Sequence, residues 1–114
     1  MDGDGGRARI AQLGDGQFSY WYANDQPDML EYFESLGLQG GGDTWAALAA
    51  AGLGLVRSQQ IDAIEFDPDA QELYAYSRSR EALEELEATV RKIAADEKFR
   101  EQCMTLAEDN GELE

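Results

Sequence analysis

Near its start the chain is built from short runs of alternating or strand-favouring residues. RARIAQL (7–13) is separated from QFSYWYA (17–23) by Gly14-Asp15-Gly16. Two strand-compatible runs around a Gly-Asp-Gly turn predict a β-hairpin. In the second run Phe18, Tyr20 and Tyr22 fall on one side of the strand, and Ser19, Trp21 and Ala23 on the other. Aromatic residues stand on both sides, so the pattern leaves the register of this hairpin open.

Asn24 to Pro27 breaks the strand. Asp25 is a candidate helix N-cap, and Pro27 suits a first helical turn, where a missing N–H does no harm. Met29, Leu30, Phe33 and Leu36 recur at helical spacing and predict a short helix over 27–36, with Gly37 as its C-terminal cap. The stretch LGLQGGGDTWAALAAAG (36–52) then crowds Gly37, Gly40, Gly41 and Gly42 ahead of a tryptophan. Asp43 or Thr44 is the expected N-cap of the next helix, and Trp45, Leu48 and Ala49 share one of its faces. Glycine lets the backbone turn sharply, so Gly37, Gly40 and Gly42 are read as the corner and Trp45 as the residue that locks it to the core. Gly52 and Gly54 are expected to end this helix.

QIDAIEF (60–66) and QELYAYS (71–77) flank a proline-containing turn and predict a second hairpin. Here the alternation is clear. Ile64, Phe66, Leu73 and Ala75 belong to the face that helices should cover, and Glu65, Tyr74 and Tyr76 to the open face. From Ser79 the period changes: Leu83, Leu86, Val90 and Ile93 mark an amphipathic helix. Its phase breaks near Asp96, and Phe99, Cys103 and Leu106 begin a new stripe, so a kink or a further helix is expected, with Gly111 near its end. The order of elements predicts an α+β fold: an antiparallel sheet of about four strands, from two hairpins, with helices on one face. Residues 1–6 read as a flexible polar tail, 7–114 as one domain, and 96–114 as a C-terminal helical extension of it.

The 114-residue chain carries 24 acidic and 9 basic residues, a formal net charge of −15. Nucleic-acid and anionic-membrane binding both depend on Lys and Arg, so this balance argues against either partner. It favours a basic partner, with solubility alone as the bland alternative. No apolar run approaches the ~18 residues of a membrane span. The start, MDGDGGRAR, carries no signal-peptide core, so a cytoplasmic protein is predicted. Cys103 is the only cysteine and no internal disulfide can form.

The absence of histidine excludes Ser-His-Asp and Cys-His catalysis and any histidine-ligated metal. The glycine cluster lacks a following Lys-Ser or Lys-Thr pair and follows a helix, so it is neither a P-loop nor a dinucleotide fingerprint. Asp67, Asp69 and Glu72 lack the glycine and distal glutamate of a calcium loop. Cys103 lies on an apolar stripe and reads as a core residue. No cofactor is expected. A carboxylate-only hydrolase is the weakest remaining class, since nothing places two carboxylates in one pocket.

Gly37 to Ala49, with Trp45 opening a helix of small and leucine residues, resembles the signature of the immunity protein 51 family, small proteins of bacterial polymorphic toxin systems. The resemblance extends through Ile64-Glu65-Phe66-Asp67, the acidic Asp69, the aromatic strand Leu73 to Ser77, and the leucine-rich helix Leu83 to Ile93. It covers roughly residues 17–95. It implies a non-enzymatic inhibitor that binds a cognate toxin domain in the cytoplasm; the charge adds that this toxin is basic, as nucleases are, and the chain itself is open to being a monomer or a homodimer. The other reading is an acidic interaction module or dimeric adaptor with no toxin partner. Tyrosine favours binding hot spots, which points to Tyr74 and Tyr76, and to Tyr20 and Tyr22 if these also face outward. Glu65 completes the open face, with Asp67 and Asp69 at its rim.

Overall fold

The computed structural model describes residues 7–23, 27–38, 41–56, 61–68 and 72–109. The expected tail at 1–6, the Asp25 cap, Gly40, Asp69 and the helix end near Gly111 lie outside the described residues. Four strands, β1 (Arg7–Gln12), β2 (Phe18–Ala23), β3 (Glu65–Phe66) and β4 (Leu73–Ser77), form one antiparallel sheet in the order β1-β2-β4-β3. The helices are α1 (Pro27–Ser35), α2 (Gly42–Leu55), α3 (Arg80–Ala95) and α4 (Glu97–Asp109). The fold is α+β, as the order of sequence patterns implies.

Gly14-Asp15-Gly16 turns the first hairpin through left-handed backbone at Asp15 (φ 64°) and Gly16 (φ 75°). Aspartate and glycine are the residues that tolerate this region. The second hairpin is shorter than its sequence suggests. Ile61–Ala63 forms a single 3-10 turn, and β3 keeps only Glu65 and Phe66. Ile64 reaches the core from the end of that turn instead of from a longer strand.

The helix ends follow from local hydrogen bonds. α1 closes with Gly37 at φ 80°. The Leu38 N–H donates to the Phe33 carbonyl at 2.9 Å and the Gly37 N–H to the Glu34 carbonyl at 3.0 Å. This paired arrangement needs a left-handed residue at the position of Gly37. α2 begins earlier than Asp43 or Thr44: Gly41 is its N-cap, in extended geometry, and the Trp45 N–H donates to the Gly41 carbonyl at 3.1 Å. Asp43 lies in the first turn, where a carboxylate suits the helix dipole. Gly52 and Gly54 do not end α2, which continues to Leu55. Ser79 caps α3 by accepting the Ala82 N–H at 3.2 Å. Asp96 separates α3 from α4 and caps α4 by accepting the Phe99 N–H at 3.1 Å.

α2 and α3 lie against the sheet, and α4 packs on both of them. Leu48 and Leu53 of α2, Leu83, Leu86, Val90 and Ile93 of α3, and Cys103 of α4 are fully buried. Gly52 permits this approach: a Cβ there would stand 2.7 Å from Thr89 Cγ2 and 3.2 Å from Cys103 Sγ. Trp45, 2% exposed, meets Tyr22 edge-on at 4.9 Å and Phe33 at 5.6 Å between ring centroids. These contacts tie β2, α1 and α2 together at the glycine corner.

Candidate functional site on the open face of the sheet

Pairing within the sheet decides which side chains face outward. Leu73, Ala75 and Ser77 of β4 are buried, whereas Tyr74 and Tyr76 are half-buried. In β2, Tyr20 pairs with Ala75 and Tyr22 with Leu73. Directly paired residues of an antiparallel ladder share a face. Tyr20 and Tyr22 therefore point inward, at 0% and 1% exposure. The expectation that they join the open face is corrected here. A tyrosine fits the space over the small Ala75, and the core supplies a partner for its hydroxyl.

That partner is Glu87 of α3. The Tyr20 hydroxyl donates to Glu87 Oε1 at 2.6 Å, and Arg91 Nε donates to Glu87 Oε2 at 2.7 Å. Burial, then the hydrogen bond to Glu87, pushes the Tyr20 hydroxyl far above its ordinary pKa. The same carboxylate holds the Arg91 guanidinium even more firmly protonated. The Tyr20 hydroxyl and the Glu87 carboxylate thus fasten α3 to the inner face of β2.

The side chains left on the outer face belong to the other parity. Arg9, Trp21 and Tyr74 pair across β1, β2 and β4. Beside them, Ser19, Tyr76 and Glu65 pair across β2, β4 and β3. Trp21 thus takes the place expected for the first-hairpin tyrosines. It was missed because its strand is aromatic on both sides. The signal that finds it is the pairing of the large Tyr20 with the small Ala75. Arg9 and Glu65 are exposed; Ser19, Trp21, Tyr74 and Tyr76 are half-buried. The Tyr74 hydroxyl donates to Glu72 at 2.7 Å. Asp67 is exposed beside this face, and its N–H extends the β3–β4 ladder to the Tyr74 carbonyl at 2.7 Å.

The face presents three aromatic side chains between a cation at the β1 edge and the carboxylates of Glu65, Asp67 and Glu72 at the other edge. Such a surface is suited to holding a protein partner, with aromatic area for contact and carboxylates for orientation. Elsewhere, a shallow groove of about 500 Å³ runs between Leu55 of α2 and Leu106 of α4. Among the described residues, no group of three or more His, Cys, Asp or Glu is placed to hold a metal ion. None of the described helices is long and apolar enough to cross a membrane.

The model of the immunity protein 51 family matches residues 16–109. This chain belongs to the immunity protein 51 family. The matched span runs from the turn of the first hairpin through α4, and so includes every strand that builds the open face except β1. No curated protein and no solved structure matches the chain at a significant level.

Proposed function

We propose that this immunity protein neutralises a cognate bacterial toxin domain by binding it directly in the cytoplasm, through the open face of the sheet. Membership of the immunity protein 51 family, over residues 16–109, is the observation that carries the reading. The half-buried Trp21, Tyr74 and Tyr76 beside Glu65 and Asp67 support the choice of surface. Asp69 is counted among the proposed contacts for its charge. The protein acts as an inhibitor and not as an enzyme. Its net charge of −15 suits a basic toxin such as a nuclease, because opposite charge speeds encounter and lets the inhibitor compete with nucleic acid.

The deciding experiment pairs this gene with the reading frame immediately upstream. Co-expression is expected to restore growth of cells that make the upstream product, and the two proteins are expected to co-purify. A toxic upstream product that is neither bound nor relieved would remove the proposal.

A second reading, a dimeric adaptor without a toxin, draws on β1, an edge strand paired on one side by β2. Edge strands are templates for pairing with another chain. Two copies of so acidic a protein repel one another, which weighs against it. A mass of two chains at micromolar concentration, measured without any partner, would favour it.

A further inference from the structure

We propose that Glu65 and Tyr76 together form a receiving site for one arginine side chain of the toxin. The inference rests on the toxin-binding reading above and adds the chemistry of its central contact. Glu65 and Tyr76 are paired residues of β3 and β4, so their side chains stand side by side on the open face. On the other flank of Tyr76 the paired residue is Ser19, which is too small to cover a phenol ring.

Two other tyrosines of this sheet are already engaged. Tyr20 is bound to Glu87 and Tyr74 to Glu72. By contrast, no hydrogen bond, ion pair or ring contact engages Glu65 or Tyr76 among the described residues. Glu65 is exposed and Tyr76 half-buried. An unshared carboxylate beside a partly exposed aromatic ring meets the two needs of a guanidinium: bidentate hydrogen bonding in the plane, and stacking on a π-face. Lysine meets the first need less well and the second less specifically. The overall negative charge favours a cationic partner, and the self-supplied Arg9 lies across β2 and β4 from Glu65, not beside it.

The test measures binding of the upstream-encoded toxin domain by calorimetry to wild type, Glu65→Gln, Tyr76→Phe and Tyr76→Leu. Circular dichroism confirms that each variant is folded. Tyr76→Phe keeps the ring and is expected to bind within about threefold of wild type, whereas Tyr76→Leu weakens binding roughly tenfold. Glu65→Gln is expected to weaken binding by about tenfold or more and to flatten its salt dependence. In the toxin, one arginine changed to lysine reproduces the loss, and Tyr76→Leu then adds little further. If Tyr76→Leu binds as wild type, the contact is merely apolar and the arginine site is overturned. If every variant binds as wild type, the toxin uses another face; the site falls while toxin binding stands. If wild type itself does not bind, the functional reading falls and takes this site with it.

Discussion

The Tyr20 hydroxyl donates a 2.6 Å hydrogen bond to Glu87 Oε1 across the interface between β2 and α3. Tyr20 itself is fully buried, while Glu87 also binds Arg91. The hydroxyl is therefore shut away from water, and among the described residues Glu87 is its hydrogen-bond partner. Tyr20→Phe removes the hydrogen bond and leaves Glu87 its Arg91 partner. A hydrogen bond to a charged group contributes about 1.5–3 kcal/mol, and a loss near the lower end of that range is expected in urea unfolding. A Tyr20→Phe protein as stable as wild type would show that the bond contributes nothing.

Alkaline pH acts on the same interior. Burial pushes the Cys103 thiol up to about 11 from an ordinary 9.0, and Tyr20 is pushed up from 10.0. Each group is neutral when protonated, and its folded pKa lies above its unfolded one. The stability tied to protonation is therefore intact below about pH 9 and is lost as pH rises through the folded value of Cys103. Urea midpoints are expected to fall between pH 9 and 11. Cys103→Ala lowers the midpoint at every pH but makes that fall shallower. An equally steep fall in the variant would exclude Cys103 from the effect.

How much of this was legible depends on whether the sequence pattern had a single solution. In β4, Leu73, Ala75 and Ser77 against Tyr74 and Tyr76 allow one inward face, and the structure uses it. In β2, Phe18, Tyr20 and Tyr22 compete with Trp21, so hydrophobicity alone cannot choose. The choice is made by cross-strand fit to Ala75 and Leu73 and by Glu87, distant in sequence from Tyr20. The glycine corner was legible at Gly37, whose left-handed backbone follows a helical stripe. It was not legible at Gly41, because adjacent glycines carry no periodicity and any of them could start α2. As a result, the outward side of Glu65, Tyr74 and Tyr76 could be read from the alternation, whereas that of Trp21 could not.

The rim carboxylates give a kinetic prediction for the toxin complex. Asp67 is exposed at the end of β3, and Asp69 follows two positions later in the chain. Exposed charges act through the long-range field and are screened by salt. Replacing both by lysine is expected to slow association and weaken its salt dependence, with dissociation nearly unchanged. Stopped-flow mixing with the toxin domain at low and high salt measures both rates. Association as fast as wild type at low salt would remove these carboxylates from steering.

Trp45 yields a stability prediction that separates packing from hydrogen bonding. Its ring is 2% exposed and contacts Tyr22 and Phe33, yet Nε1 has no hydrogen-bond partner among the described residues. Trp45→Ala empties this space and is expected to cost about 3–5 kcal/mol. Trp45→Phe forfeits no hydrogen bond and keeps an aromatic edge for both neighbours, so it should cost less than half as much. Chemical denaturation of the two variants tests this. A larger loss in Trp45→Phe would mean that the indole N–H is bonded in solution.

Two glycines of α2 should respond in opposite directions to the same substitution. Both lie within the helix, where alanine is favoured over glycine by about 1 kcal/mol. At Gly54 a new Cβ meets nothing within 4 Å among the described residues, so Gly54→Ala should stabilise the protein, by less than ~1 kcal/mol this close to the helix end. At Gly52 the Cβ would lie 2.7 Å from Thr89 Cγ2, 3.2 Å from Cys103 Sγ and 3.4 Å from Ile93 Cδ1. Thr89 is buried and branched at Cβ, so it has little room to turn away. Overpacking of this kind costs about 1–3 kcal/mol, which outweighs the gain in helix propensity. Gly52→Ala should therefore destabilise. Thr89→Ser removes the offending methyl, so the Gly52→Ala/Thr89→Ser double variant should recover part of the loss relative to the sum of the single changes. Equal stabilisation by alanine at both positions would show that α3 and α4 can move away from α2 at little cost, and that the close approach at Gly52 is not a constraint on the fold.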